Sequence, residues 1–389
     1  MDKIESIKAR EVLDSRGEPS LEVELNTQNH ISTIASVPSG ASVGSYEAIE
    51  LRDNDPARYN GQGLLKSISN IDKIITPALI GMDIEDLKSI DQVMIDLDAT
   101  VHKSNLGANT ILAISIAACK ASAINQNEPL FKYIGKLSQN TTIKIPVPLF
   151  NFIEGAKHAD NNLQIQEFLS IGTRATFKES YQEASEGFRR LKDLLKDRGL
   201  TIAVGHEGGF APTLPSDEDA LKLLQQTGVA KIGLDMAGVI PKGITLNKLV
   251  STYNIGMLED PIEEDDFDQW AQVTQIFGKE ILIVADDIFS STVSRLEMGY
   301  ERGVANAVIV KPNQVGTVTE AIDFVRLAKE KKYKVVASHR SGETEDTFIA
   351  DFAVGVGADY AKFGAPSRGE RVSKYNRLLR IEENIVSNE

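Results

Sequence analysis

Six charged or ionisable side chains recur in the second half of the chain, each at the end of a short apolar run. Successive members lie about 25 residues apart, which is roughly the length of one strand–helix unit in a barrel. A single residue of this kind is more often a solvated loop charge. Six in one register favour a common rim, because a charge that ends a buried strand is costly unless it is paired or bound. The six residues are Asp235, Glu259, Asp286, Lys311, His339 and Lys362.

Three of these residues are acids from successive units. Converging carboxylates repel one another unless a cation joins them, and an all-oxygen ligand set suits Mg²⁺ or Mn²⁺ better than Zn²⁺. Asp235, Glu259 and Asp286 are therefore predicted metal ligands, with three separate helix-capping acids as the alternative. Further round the rim, we expect burial and a neighbouring cation to lower the pKa of Lys311 and make it a candidate base.

Two further stretches carry groups that could bind or react. Arg340 and Ser341 follow the fifth rim residue, and a guanidinium with a hydroxyl can bind a phosphate or a carboxylate. The stretch "VGHEGGFAP", residues 204–212, combines a histidine, an acid and two glycines. Taken alone, it is compatible with half of a metal site, a phosphate-binding loop, or an ordinary loop with an exposed Glu207.

The elements that must position these groups change character along the chain. The first part predicts a hairpin over "REVLDSRGEPSLEVEL", a third strand at "STIASV" and then amphipathic helices. After residue 144, eight apolar runs alternate with helical segments. Continuous apolar runs are typical of parallel strands buried on both faces, and eight with helical crossovers predict an α/β barrel. The predicted domains are an α+β domain over 1–137 and a barrel over 144–389, joined by the polar stretch "KLSQNTTIKIP".

Composition limits the classes of partner. The net charge of −14 argues against non-specific nucleic-acid binding, which depends on basic patches, but leaves room for a local basic site for an anion. The single cysteine, Cys119, excludes an internal disulfide and is expected to be a small buried residue. No apolar signal core is evident near residue 1, and the apolar run at 111–119 is too short to span a membrane. We therefore expect a cytoplasmic protein with no membrane span.

The chain resembles the enolase family over nearly its whole length. The resemblance implies an α/β fold in which a smaller α+β N-terminal domain caps a barrel of ββαα(βα)6 order. The chain would be a somewhat divergent and shortened member. The segments that carry the resemblance are "LDSRGEPSLEVEL", "VPSGASVGSYEAIELRD", "KSNLGANTILAIS", "HADNNLQIQEF", "GHEGGFAP", "LEDP", "ADD", "VKPNQVGTVTEA", "SHRSGETEDTFIAD" and "KFGAPSRGERVSKYNRLLRIEE".

The resemblance implies a reversible dehydration of 2-phospho-D-glycerate to phosphoenolpyruvate with two Mg²⁺ ions in each active site. By the family's motif, the three rim acids hold the first ion, and Ser42 helps to hold the second together with substrate oxygens. Metal ions on the substrate carboxylate would make the enolate intermediate accessible.

The resemblance also assigns the proton transfers. Lys311 would remove the C2 proton, and Glu207 would protonate the departing C3 hydroxyl. That second role requires a raised pKa for Glu207, which like-charge repulsion from Glu167 could supply. Lys362 would neutralise the substrate carboxylate, and Arg340 with Ser341 would bind the phosphate. The full set of implied substrate contacts is His158, Gln166, His339, Arg340, Ser341, Lys362 and Ser42.

Several of these assignments have ordinary alternatives. His158 could be a plain loop histidine, Ser42 a turn residue, and Gln166 a packing residue. The chain also departs from the family pattern. His206 stands where an acid is usual, and we expect this exchange to lower the pKa of Glu207. The loop "GAKHADN" is expected to be stiffer and more charged than the usual glycine-rich loop, and the interval from Asp235 to Glu259 is shorter than usual.

The resemblance implies a homodimer, with an octamer as a further possibility. Glu22 and Arg380 match positions that pair across the family's subunit interface. Two functional alternatives stay open from the sequence. One is a paralogue that acts on a related phospho- or phosphono-hydroxy acid, and the other is a non-catalytic binding role at a cell surface.

Overall fold

The computed structural model describes residues 2–40 and 44–387. Strands and helices are numbered here in chain order. The strands are β1 (Ile4–Leu13), β2 (Pro19–Thr27), β3 (Ser32–Ser36), β4 (Val147–Glu154), β5 (Glu167–Ile171), β6 (Ile232–Asp235), β7 (Ile255–Glu259), β8 (Leu282–Ala285), β9 (Ala307–Val310), β10 (Lys334–Ser338) and β11 (Tyr360–Lys362).

The helices follow the predicted amphipathic segments, and a π-helical stretch joins the first two into one continuous element. They are α1 (Leu65–Asn70), α2 (Thr76–Leu79), α3 (Leu87–Asp98), α4 (Ala108–Asn125), α5 (Leu130–Leu137), α6 (Phe177–Asp197), α7 (Asp217–Gln226), α8 (Leu246–Thr252), α9 (Phe267–Phe277), α10 (Val293–Arg302), α11 (Pro312–Val315), α12 (Val318–Glu330), α13 (Phe348–Gly355) and α14 (Gly369–Val386).

The first three strands form the predicted antiparallel sheet in the order β1-β2-β3. Leu21, Val23 and Leu25 are fully buried, because alternate residues of β2 face the same side of the sheet. That side packs against α4, whose residues are buried almost throughout. The small domain therefore has its own core.

Helix α4 is the one element among the described residues whose length and apolar composition would allow it to cross a membrane. It is longer than the apolar run that the sequence suggested, and 83% of it is buried inside the protein. This is the arrangement of a core helix. Cys119 on this helix is a buried free thiol, as predicted.

The other eight strands close into a barrel, and β5 is antiparallel to both of its neighbours while the remaining pairs are parallel. The order ββαα(βα)6 is therefore confirmed. The prediction from apolar runs of a parallel sheet was wrong for β5. Its connection from β4 contains only a short 3-10 turn and no crossover helix, so β5 returns antiparallel.

The inside of the barrel is filled rather than open. Leu149, Leu169, Met257, Val284 and Val336 form a separate apolar cluster between the strands. Because alternate strand residues point inward, this cluster seals the barrel, and polar side chains follow at the carboxyl ends of the strands. The packed interior is the rigid base on which the site stands.

Candidate active site

The six rim residues predicted from their spacing lie at the carboxyl ends of adjacent barrel strands. Three are the last residues of β6, β7 and β11, and the other three directly follow β8, β9 and β10. Five of them line one cleft of about 470 Å³, together with residues of the small domain. The exception is Glu259, which lies fully buried beneath Lys362.

Lys362 is the centre of one buried ion cluster. Its Nζ atom lies 2.8 Å from both carboxylate oxygens of Glu259, 3.1 Å from Glu167 and 3.3 Å from Asp235. These acids hold the pKa of Lys362 well above its usual range despite burial, which acts in the opposite direction. Burial and the nearby Asp235 raise the pKa of Glu259 well above its usual range, because a second negative charge beside Asp235 in a buried place is unfavourable.

The predicted metal trio converges only in part. Asp286 is ion-paired with Lys311 and lies close to Asp260 and Asp287, with one carboxylate oxygen of each within 4.8 Å of the others. Asp235 and Glu259 instead share Lys362. The donor set still fits Mg²⁺, because buried carboxylates of like charge crowd one rim and every donor is oxygen.

The environment of Lys311 corrects the sequence-based expectation. Burial lowers its pKa, and Arg340 and Lys362 act in the same direction, as anticipated. The ion pair with Asp286 outweighs them, so that the pKa of Lys311 is raised. The expected lowering of the Lys311 pKa was wrong, because the sequence did not show that Asp286 would pair with the ammonium.

Glu207 faces the cleft from the opposite side, on the loop between α6 and α7. His339 Nε2 lies 3.0 Å from its Oε2 atom, and His158 Nδ1 lies 3.7 Å from its Oε1 atom. Asn151 donates a weaker hydrogen bond to the same carboxylate at 3.4 Å. Glu207 is thus not the exposed acid of an ordinary loop, since it is buried among imidazoles. With His158 and Glu167 it forms a second group whose donor atoms lie within 4.8 Å of one another, and His206 is not part of that group.

Arg371 determines how His339 contacts Glu207. The Arg371 guanidinium approaches His339 Nδ1 at 2.6 Å. Because a guanidinium only donates, Nδ1 must accept, and the neutral ring then carries its proton on Nε2, facing Glu207. Burial lowers the pKa of His339 to about 3, so the ring is neutral at pH 7.

The acid role of Glu207 requires a raised pKa, but the structure gives the opposite direction. Burial raises the pKa, but His339, His158 and Arg371 together outweigh it and hold the pKa of Glu207 well below its usual range. The raised acid is Glu167, through burial and its proximity to Glu207. His158 is buried beside both, and although burial lowers its pKa, Glu207 and Glu167 raise that pKa to about 9.

His206 does not act as expected. Its side chain is exposed, and His339 and His158 are the histidines that lower the pKa of Glu207. His206 contributes instead through its backbone, which donates to His158 O and accepts from Arg371. In the altered loop, Ala156 adopts a left-handed φ of 45°, a conformation that favours glycine.

The predicted phosphate-binding residues lie in the cleft but already have partners. The Arg340 guanidinium is buried and donates to both oxygens of Glu47, at 2.8 and 3.2 Å, and to Asn313. Ser341 is buried beside it. Gln166 donates to Asp235 at 3.3 Å, while its buried carbonyl oxygen lacks a hydrogen-bond partner among the described residues.

Ser42 lies outside the described residues, and its predicted roles in metal and substrate binding stay predictions. Other residues of the site were missed, among them Asp260 and Asp287, each of which directly follows a predicted acid in the chain. Glu154 was missed as well, although it is the last residue of β4 and could be found in the sequence as an acid at the end of an apolar run. Glu47 and Arg371 could not be found from the sequence, because the residues that they contact are distant along the chain.

Comparison with known families agrees with this architecture. The model described as "Enolase, N-terminal domain" matches residues 4–134. The model described as "Enolase, C-terminal TIM barrel domain" matches residues 142–241 and 243–389. Together the two models cover nearly the whole chain, and they correspond to the small sheet domain and to the barrel. The two enolase domains indicate an enzyme of the lyase type. The chain belongs to the enolase family.

Proposed function

We propose that this protein catalyses the Mg²⁺-dependent, reversible dehydration of 2-phospho-D-glycerate to phosphoenolpyruvate. The observation that carries the proposal is the arrangement of Lys311 and Glu207, which line the same cleft from different barrel loops. Lys311 is a partly buried ammonium and Glu207 a buried carboxylate, and each is held by partners. A substrate between them would meet a candidate base on one side and a candidate acid on the other.

In the dehydration direction, Lys311 must first lose its proton. The ion pair with Asp286 opposes this loss, so the base becomes available only when Asp286 has another positive partner. Deprotonated Lys311 would then remove the C2 proton of the substrate. Lys362, which stays protonated, would neutralise the substrate carboxylate from the neighbouring strand end.

On the other side, Glu207 must carry a proton to release the C3 hydroxyl as water. Its resting form is ionised, which is the form that accepts a proton from water in the hydration direction. Glu154, whose pKa burial and Glu207 raise to about 8, is protonated at neutral pH and lies behind the same loop. A proton is therefore available close to Glu207 for the dehydration direction.

The remaining polar residues would orient the substrate. Arg340 and Ser341 are proposed to bind the phosphate, and the guanidinium would then exchange some of its bonding to Glu47 for the phosphate oxygens. His158, with its pKa raised to about 9, brings a second positive charge to the cleft. Gln166 and His339 complete the lining.

Asp235, Glu259 and Asp286 would hold the first Mg²⁺ ion, and Ser42 would contribute to the second. When bound, the ions supply positive charge that offsets the negative charge developing on the substrate carboxylate as the C2 proton leaves. The ammonium groups of Lys362 and Lys311 contact the same carboxylates, which shows that this rim accepts positive charge.

The test separates the two proton transfers. Lys311→Ala should abolish exchange of the C2 hydrogen with D₂O, followed by NMR, whereas Glu207→Gln should retain exchange and lose formation of phosphoenolpyruvate, followed by ultraviolet absorbance. Lys279→Ala and Glu280→Gln are matched controls, because both residues are exposed just before β8, at the opposite end of the barrel. Equal loss of exchange in both active-site variants would overturn the assignment of base and acid. No Mg²⁺-dependent product from the folded wild-type protein would overturn the reaction itself.

A further inference from the structure

A second buried acid lies directly behind the loop that carries Glu207. Glu154 is the last residue of β4 and has no exposed surface. Its Oε2 atom accepts the backbone N–H of Glu207 at 3.0 Å, and its Oε1 atom accepts the backbone N–H of Gly209 at 2.5 Å. Both carboxyl oxygens are therefore used to fix the loop on either side of Gly208.

The glycines of this loop match the close approach of Glu154. A Cβ atom on Gly205 would overlap the Oε2 atom of Glu154, and one on Gly209 would lie 2.9 Å from its Oε1 atom. The backbone also joins the loop to β4, since Glu154 N–H donates to Phe210 O at 2.9 Å. Side chain and main chain of one residue thus bind three successive parts of the loop.

We propose that Glu154 is a positioning residue for the acid Glu207, which it holds in the cleft through paired bonds to the loop amides. The inference rests on the proposed function for the role of Glu207, but the positioning itself is a property of the free protein. Two amide donors, one on either side of Gly208, need two acceptor oxygens. A carboxyl group supplies both, whereas an amide side chain supplies one acceptor and one donor.

The charges around Glu154 give it a second effect, on the pH dependence of the step that uses Glu207. The titratable groups that face Glu154 are Glu207, His158 and, as the register partner across β5, Glu167, while His339 and Arg371 also face the acid that it holds. Burial and Glu207 raise the pKa of Glu154 to about 8. A neutral side chain at this position would avoid the repulsion, so an acid here is costly for simple packing. The titration of Glu154 should therefore appear in the pH profile of the step that uses Glu207.

The first test uses the free protein. Hydrogen exchange of the amides of Glu207 and Gly209 is compared between wild type and Glu154→Gln. The glutamine leaves one amide facing an NH₂ donor, so we expect at least one of the two to exchange about tenfold faster or more. Asp91→Asn is the matched control, because Asp91 is a buried acid that accepts a backbone N–H from Thr319 far from the cleft. It should leave these two amides unchanged.

The second test uses turnover. Glu154→Gln should retain C2 exchange within about threefold while slowing formation of phosphoenolpyruvate by about tenfold to a hundredfold, because a misplaced acid affects only the second step. The change in dehydration rate that accompanies titration near pH 8 should be lost. If this variant does not fold, Glu154→Asp withdraws the carboxyl by one methylene, and it should expose the amides while retaining a titration.

The outcomes separate the two proposals. Unchanged protection of both amides in the folded Glu154 variant overturns the positioning role, whatever the activity. Equal loss of C2 exchange and dehydration also overturns it, because that pattern indicates a general structural defect. A wild-type protein that catalyses neither step overturns the proposed function, and the amide exchange then decides alone whether Glu154 holds the loop.

Discussion

Replacing Lys362 with methionine tests the electrostatic organisation of the rim. Methionine keeps the volume and removes the ammonium that lies within 3.3 Å of Glu259, Glu167 and Asp235. Removal of one partner from a buried ion pair typically costs about 3–5 kcal/mol, because the remaining charge has no counterion. We expect Lys362→Met to lose at least that much in the free energy of unfolding at pH 8 with EDTA present.

The pH dependence has a defined sign. The pKa of Lys362 is raised, so its contribution is fully present below the pKa of an unfolded lysine and is lost only above it. The ammonium of Lys362 is therefore charged throughout the range from pH 5 to pH 8 in the wild type. In the variant, the carboxyl groups left without a counterion take up protons as the pH falls. The loss relative to wild type should consequently shrink at pH 5, by about 1.4 kcal/mol for each unit by which a carboxyl pKa rises.

The same variant reports on metal binding without reference to turnover. If Asp235 and Glu259 are Mg²⁺ ligands, the ion replaces the missing positive charge and should restore about 2.7 kcal/mol at a concentration 100 times its dissociation constant. Urea unfolding with and without Mg²⁺ measures this recovery. Lys374→Met is the matched control, since Lys374 is also fully buried but contacts a single carboxylate, Glu343, at 2.8 Å. A loss below about 1 kcal/mol, or equal recovery by Mg²⁺ in both variants, would refute the reasoning.

Three further predictions concern the acid side and the assembly. Arg371→Lys should lower the free energy of unfolding by about 2–4 kcal/mol in urea titrations, because a lysine replaces only part of a fork that donates to His339 and to the carbonyl oxygens of Arg340, His206 and Ser341. An unchanged midpoint would contradict that account. His206→Asp should change the dehydration rate by less than about tenfold, because the His206 side chain is exposed to solvent and its lowered pKa leaves it mostly neutral at pH 7. A larger change in the pH–rate profile would restore the original expectation for this position. Sedimentation at micromolar concentration should give the mass of a homodimer, and a monomer would contradict the prediction from the family resemblance.

The sequence alone determined much of the architecture. Period-two alternation predicted β1 to β3, and the repeating apolar runs predicted an eight-stranded barrel, because these patterns depend only on which face of each element is buried. The same repeat located all six rim residues, since a strand end is a local feature. The direction of β5 did not follow from its apolar composition, because a strand buried on both faces has the same pattern in either direction.

Tertiary structure decided the protonation states. The sequence predicted a lowered pKa for Lys311, and the acid role required a raised pKa for Glu207. The structure gives the opposite direction for each, because each pKa depends on a partner from a distant part of the chain. Asp286 pairs with the lysine, while His339, with a tautomer fixed by Arg371, stabilises the carboxylate. Residue types and spacing specify which groups reach the rim. Only the folded chain sets the distances between them, and the Coulomb and hydrogen-bond energies that shift a pKa depend on those distances.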